Sequence, residues 1–412
     1  MSRTMQILRI AAVVGLFGAL ASCDMAHDTV GPSIDGGPLF TRYVALGNSL
    51  TAGYQSGGIN DSTQKAAYPV LLARAFGTRF AYPALAKPGC PPPIDTFQTQ
   101  HRLTPRGFPA STSTSCYLRT PGSVTDVLNN VAVPGANVAD LTSVNGTSAN
   151  PLTTFVLGGL TQAGRASLAH PTFATIWIGN NDVLAPALGG LAPILPTPTT
   201  LAAFQTSYDA MLSELLTASP DLKGVLMGVV QVAAAPQLFP AAALQSPLFV
   251  GGLSLAAGTA VSPAADCLTA PGNTSKINIQ IIGAIKAGTV SPTIHCVKTP
   301  SAQYPLDGDL YVLDASEQAT VGALITSYNA YIQTKADAIG FAYWDPNPVL
   351  AQLATQSGAI NYPPNLADYQ HPFGTAFSLD GVHPSSSAHV LIANALIDVI
   401  NQKYGTTVRH VQ

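Results

Sequence analysis

Charge is what this sequence has least of. Asp, Glu, Lys and Arg make up 9% of its 412 residues, where a soluble domain ordinarily carries about 25%. The 18 basic and 21 acidic side chains leave a net charge of −3. The basic ones are scattered, which excludes the clustered positive face of a nucleic-acid binder. Disorder is excluded as well, because disordered chains join high charge to low hydrophobicity and 47% of this chain is hydrophobic. Aromatic residues are scarce at 7%, which argues against a long groove for stacking sugar rings. No Cys-x-x-Cys and no paired-His spacing occurs, so a structural zinc site has no ligands, and neither metal nor cofactor is expected. Residues 224–265 hold no charge at all, but Pro236, Pro240, Pro247, Gly251 and Gly252 cut that run into pieces shorter than a bilayer requires. A buried strand followed by an apolar cap accounts for it better. The length fits one large α/β domain with insertions, or two domains.

What is present begins at the N-terminus. Arg3 and Arg9 precede an uncharged apolar stretch of 11 residues, Ile10 to Leu20, too short to span a bilayer and suited to a signal peptide. Leu20-Ala21-Ser22-Cys23 resembles a bacterial lipobox, with Cys23 as the lipidated thiol. Residues 1–22 are therefore expected to be a signal peptide, 23–39 a lipidated cysteine and flexible tether, and 40–412 the folded domain. The 16 tether residues after Cys23 reach at most about 50 Å. This places the protein in the bacterial cell envelope, facing periplasm or exterior, held to a membrane by its lipid. Four further cysteines, Cys90, Cys116, Cys267 and Cys296, fit an oxidising compartment. Three pairings are possible. The local pairs Cys90–Cys116 and Cys267–Cys296 are favoured, since each ties down one loop-rich segment, with a stabilisation of roughly 3 kcal/mol in the chain-entropy model.

Along the domain, strand-like segments alternate with helix-like ones. Strands are expected at Tyr43 to Leu46, Asn130 to Val133, Phe173 to Ile178, Val225 to Val230 and Phe341 to Trp344. Helices are expected near Tyr68 to Phe76, Thr200 to Leu216, Glu317 to Ala338 and Ser385 to Tyr404. The second of these carries Leu201, Phe204, Tyr208, Leu212 and Leu215 at helical spacing. Such alternation indicates an α/β domain with a mainly parallel sheet. Pro83 to Pro121, rich in Pro, Ser and Thr, reads as a stapled surface excursion.

Four segments place polar or small residues just beyond strands or beside helix starts, where an open parallel sheet gathers its ligands. Gly47-Asn48-Ser49 ends the first strand and offers a hydroxyl. Asp380-Gly381-Val382-His383 supplies what a serine nucleophile lacks, an imidazole base with an acid three residues earlier to hold its other nitrogen. His389, inside a helix, and His371, in a Pro-rich loop, are the rival bases. Gly135, uncovered by any side chain, and Asn181, with its amide, can donate to an oxyanion, and Asp182 can anchor the turn.

Together these blocks resemble the SGNH (GDSL-type) hydrolase superfamily. The match runs through Gly47-Asn48-Ser49-Leu50, Gly135, Gly179-Asn180-Asn181-Asp182 and Asp380-Gly381-Val382-His383, spanning residues 42 to about 404. The resemblance implies a three-layer α/β/α sandwich with a flavodoxin-like, mainly parallel sheet. It also implies metal-free hydrolysis of esters or thioesters by a lipoprotein member of the superfamily. Ser49 would attack, His383 would act as base and then acid, and Asp380 would orient it. The Ser49 and Gly135 N–H groups and the Asn181 amide would form the oxyanion hole. Two departures stand out. Asn48 replaces the usual Asp, keeping an acceptor and losing a charge. The 198 positions from Asp182 to Asp380 exceed what the core needs, so an inserted cap is expected at about 232–310, beside a smaller insertion at 83–121. The uncharged segments 183–208 and 224–265 favour an apolar, lipase-like acyl substrate. Alternatives are a polysaccharide acetyl-esterase and a non-catalytic surface lipoprotein that keeps the fold. Nothing in the sequence indicates an oligomeric state.

Overall fold

A computed structural model describes residues 37–116, 127–143 and 152–412; the expected signal segment, Cys23 and most of the expected tether lie outside the described residues. The core is a parallel sheet of four strands, β1 (Tyr43–Gly47), β2 (Phe173–Trp177), β3 (Lys223–Met227) and β4 (Ala342–Trp344), hydrogen-bonded in that order. Residues 129–133 extend the sheet beyond β1. The Ala45 N–H donates to the Asn129 carbonyl (2.7 Å), and the Val131 and Val133 N–H groups donate to Ala45 and Gly47 (3.0 and 3.1 Å). Counting that edge segment as the second strand, the order is the flavodoxin-like one, with its switch point at the carboxyl end of β1.

Period-two alternation sorts the strand side chains onto two faces. Val44, Leu46, Ala174, Ile176 and Leu226 pack into one core, with Phe204, Tyr208, Ile325 and Tyr328 from the helices Leu201–Ala218 and Ala315–Ile339. Tyr43, Ala45, Phe173, Val225 and Met227 pack into the other, with Leu72, Phe76, Leu396 and Ile400 from Tyr68–Phe76 and Ser386–Tyr404. Helices on both faces make the three layers. Thr200 and Ser385, read as the first helical residues, are instead N-caps whose hydroxyls accept from Ala203 and Ala388. That is the usual place for such side chains.

The uncharged run divides as its breakers dictate. β3 takes the first part. Leu238–Pro240 then pairs antiparallel with Lys276–Asn278, which pairs with Val312–Leu313. Between them lies an 11-residue helix, Pro247–Ala257, capped by the Ser246 hydroxyl. Phe239, Phe249, Leu253, Ile277 and Phe373 form a separate core for this cap. Among the described residues no helix is long and apolar enough to cross a membrane. Both favoured disulfides are present, Cys90–Cys116 and Cys267–Cys296.

Candidate active site

β1 delivers its last residue, Gly47, into a space no side chain can share. A Cβ there would lie 2.4 Å from the Thr51 hydroxyl and 2.5 Å from the Trp177 carbonyl. Gln162, fully buried, grips that glycine by both backbone groups: its amide donates to the Gly47 carbonyl and its oxygen accepts the Gly47 N–H, each at 3.0 Å. The next residue, Asn48, caps the one-turn helix Ser49–Ala52, its side-chain oxygen accepting from the Leu50 N–H (3.1 Å). The retained acceptor is thus used, and the lost charge is not required for the cap. Ser49 is left at the mouth of the turn, 8% exposed.

Two segments far apart in sequence converge there. The Ser49 Oγ lies 2.8 Å from the His383 Nε2, and the His383 Nδ1 lies 2.9 Å from the Asp380 Oδ2. Asp380 accepts five hydrogen bonds. Oδ1 receives the Ser378 hydroxyl (3.1 Å) and the Val382 and His383 N–H groups (3.0 and 2.9 Å); Oδ2 receives His383 Nδ1 and the Gly57 N–H (2.8 Å). Burial pushes this carboxyl up, but the His383 charge and the bonds from His383 and Val382 outweigh it and hold it well below the usual carboxylate range. An ionised carboxylate only accepts, so Nδ1 carries the imidazole proton and Nε2 is free to accept the serine hydroxyl. The arrangement suits proton transfer from Ser49.

The rival histidines separate cleanly. His389 is fully buried, its Nδ1 accepting the Tyr68 N–H at 3.3 Å. Burial, then the nearby His383 charge, push its pKa down to about 3. It stays neutral and does not touch Ser49. His371 is exposed in its loop, its N–H donating to Asp368 (2.9 Å).

The expected oxyanion donors are placed less evenly. Asn181 opens the helix Asn181–Leu188 and lines the cleft with Ser49 and His383. Its amide already donates one hydrogen to the Ala136 carbonyl (2.8 Å); a second hydrogen remains. Gly135 adopts a left-handed φ of 83° in an exposed turn and is not part of the cleft wall. Its position is set through Ala136 and through the Val138 N–H, which donates to the Asp182 Oδ2 at 3.0 Å. Asp182 therefore does anchor the turn. Burial pushes its carboxyl up to about 7, with bonds from Thr199 and Val138 opposing and the Asp140 charge adding to the rise.

The cleft wall is largely apolar, with Leu184, Val230, Val232, Ala235, Leu350 and Phe377 around the polar centre. From the uncharged segments come Leu184 and only the stretch 230–235; the helix Pro247–Ala257 is not part of it and packs into the cap's own core. Sequence reasoning missed Leu350 and Phe377 and gave no role to Asn180, whose side-chain oxygen accepts the Val230 N–H (3.0 Å) and ties the third block to the exit of β3. It missed Gln162 as well. Among the described residues, no group of three or more His, Cys, Asp or Glu side chains is placed to hold a metal ion.

Comparison with known families gives a match to the GDSL-like lipase/acylhydrolase model over residues 43–396. The chain belongs to this family. As a GDSL-like acylhydrolase it is an ester hydrolase. No curated protein matches it. Among solved structures it is similar to a variant of Axe2, an acetylxylan esterase from Geobacillus stearothermophilus, at 12% identity and TM-score 0.40, covering 92% of this chain and 100% of that one. It is also similar to an extracellular lipase from Streptomyces rimosus, at 15% identity and TM-score 0.37, covering 87% and 99%.

Proposed function

We propose that this GDSL-like hydrolase is a serine esterase that cleaves short-chain acyl esters through an acyl-Ser49 intermediate. His383 takes the Ser49 proton as the hydroxyl attacks the acyl carbonyl, then returns it to the leaving alcohol. Asp380 holds the imidazole in the tautomer that permits this. The Ser49 N–H and the free hydrogen of Asn181 receive the oxyanion, and the Gly135 N–H joins them from the turn that Asn181 and Asp182 hold beside the cleft. Water, activated by the same imidazole, releases the acid. One observation carries the reading: the continuous Ser49–His383–Asp380 chain at 2.8 and 2.9 Å, opening on an apolar cleft. The apolar lining supports the expected apolar acyl group. The cleft volume of about 50 Å³, space for a few water-sized groups, supports a short one over a long lipid chain.

The test is labelling with a fluorophosphonate probe. Wild type should label and Ser49→Ala should not; equal labelling, or none in either, removes the serine-hydrolase mechanism. A nitrophenyl ester series should then fall in kcat/KM from acetate and butyrate to longer chains. A rise toward octanoate would return the lipase-like reading. We also propose lipidation at Cys23 and residence in the bacterial cell envelope. The support is the charged, apolar and Leu-Ala-Ser-Cys order of the first 23 residues, together with two disulfides that suit an oxidising compartment. Metabolic labelling with a fatty acid should mark the wild-type chain and leave Cys23→Ser unmarked.

A further inference from the structure

The segment just after the nucleophile helix makes an unusual bend. Ser56 and Gly57 both have left-handed backbone conformations, φ 54° and 64°, which a serine seldom adopts without support. Local bonds close the bend: the Gln55 N–H donates to the Gly58 carbonyl (2.8 Å) and the Gly58 N–H returns to Gln55 (3.1 Å). The result is that the Gly57 N–H points at the Asp380 Oδ2, at 2.8 Å. The same bend carries Tyr54, whose ring centroid lies 4.9 Å from that of His383. Two contacts of the Asp380–His383 pair therefore depend on where this bend sits.

Its outer side is held by a residue from the stapled excursion. The Arg102 Nη1 donates to the carbonyls of Gly57 and Pro92, each at 2.6 Å. Its backbone is fixed in turn, the Arg102 N–H donating to Ser111 (2.7 Å) and the Leu103 N–H to Pro93 (2.8 Å). Arg102 lies between Cys90 and Cys116, which close the excursion. No carboxylate pairs with Arg102 among the described residues. Its guanidinium is committed to two carbonyls instead, a charge-assisted grip stronger than a neutral bond.

We propose that Arg102 is a positioning residue for the Asp380–His383 pair, acting through the backbone of Gly57. This rests on the catalytic roles proposed above. With the Gly57 carbonyl gripped from outside, the peptide on its other side keeps its N–H on Asp380. Without the grip, the bend loses its outer support and Asp380 loses one of five donors. The cleft wall contains no residue of 53–58, so the effect falls on turnover and not on substrate binding.

Arg102→Met keeps most of the packing stem and removes only the donors. With nitrophenyl acetate and the mature chain, kcat should fall about 10-fold while KM stays within about twofold, since small misplacements of reacting groups are costly. Arg102→Lys should recover turnover to within about threefold of wild type, because one ammonium offers donors to both carbonyls. Melting curves of all three proteins run beside the kinetics. The proposal is overturned if Arg102→Met keeps kcat within twofold, if its loss appears in KM, or if Lys and Met variants of equal melting temperature are equally slow. Ser49→Ala is assayed alongside. Turnover surviving in that variant overturns the nucleophile assignment itself, whereas an inactive Ser49→Ala beside an unaffected Arg102→Met overturns only the role of Arg102.

Discussion

Two carboxylates sit at the same edge of the sheet and are pushed in opposite directions. Asp380 and Asp182 are both withdrawn from water, with Asp182 2% exposed and the Asp380 side chain 16% exposed. Desolvation raises both. Asp380 meets five donors and an imidazole that becomes positive when it takes a proton, and its pKa falls. Asp182 meets fewer donors and the negative Asp140, and its pKa rises to about 7. Burial by itself does not decide the charge of an acid; the number of donors and the sign of the neighbour do. The first acid is built to stay ionised beside a base. The second is an anchor for the turn that bears Gly135, and its charge is a cost.

The largest effect should come from breaking the ionised partner. Asp380→Asn removes the negative charge and offers an amide hydrogen where an acceptor is required, which favours the wrong imidazole tautomer. Turnover should fall roughly 10³-fold with the fold retained, measured as kcat beside a melting curve. A loss below tenfold would remove Asp380 from the mechanism and reduce the comparison to one of burial.

The second effect is on stability, and its sign depends on pH. For Asp182 the folded value of about 7 exceeds the unfolded value of about 3.9. The folded form keeps a proton that the unfolded form has lost, so its contribution is whole below about pH 4 and is lost as pH rises through 7. Asp182→Asn should therefore gain stability over wild type at pH 7.5, of order 4 kcal/mol, and little at pH 4, in urea unfolding at the two pH values. His389 slopes the other way. Its folded value of about 3 lies below the unfolded value of about 6.5, so its contribution is present above pH 6.5 and lost as pH falls toward 3. His389→Asn, whose oxygen can still accept the Tyr68 N–H, should flatten the acid side of the stability curve. Unchanged slopes in both variants would mean that neither group titrates as its surroundings dictate.

The parts of this site legible in the sequence are those that chemistry ties to residue type. Ser49, Asp380, His383 and Asn181 stand just beyond strands or at helix entries, and the turn and cap preferences of their neighbours mark those places. The cysteines paired as expected because each pair encloses one loop-rich segment. The strands of the core were readable from apolar runs, including the edge segment 129–133, whose Asn130-Val131-Ala132-Val133 ends at a Pro-Gly turn. What escaped works through backbone groups, which carry no signature of residue type. Gln162 grips the N–H and carbonyl of Gly47, Arg102 grips the carbonyl of Gly57, and Gly57 donates to an acid 323 positions away. The Ser56-Gly57-Gly58 run signals a turn but not the atom the turn serves. Leu350, on the short helix Asn347–Ala354, and Phe377, in the loop before Asp380, escaped for a different reason: apolar residues look alike until the segments that carry them are placed.

The smallest effect tests whether the five donors on Asp380 act one by one. The Ser378 hydroxyl gives one of them and also accepts the Ser56 N–H at 2.8 Å. Ser378→Ala leaves four donors and the His383 charge, so Asp380 should stay ionised and kcat should fall only about threefold, as expected for one neutral donor among several. The orphaned Ser56 N–H should cost about 1 kcal/mol, seen as a melting point lower by about 1–2 °C. If Ser378→Ala is instead as slow as Asp380→Asn, the donors act as a single unit. Asp380 would then differ from Asp182 in the integrity of one network and not in the count of its bonds.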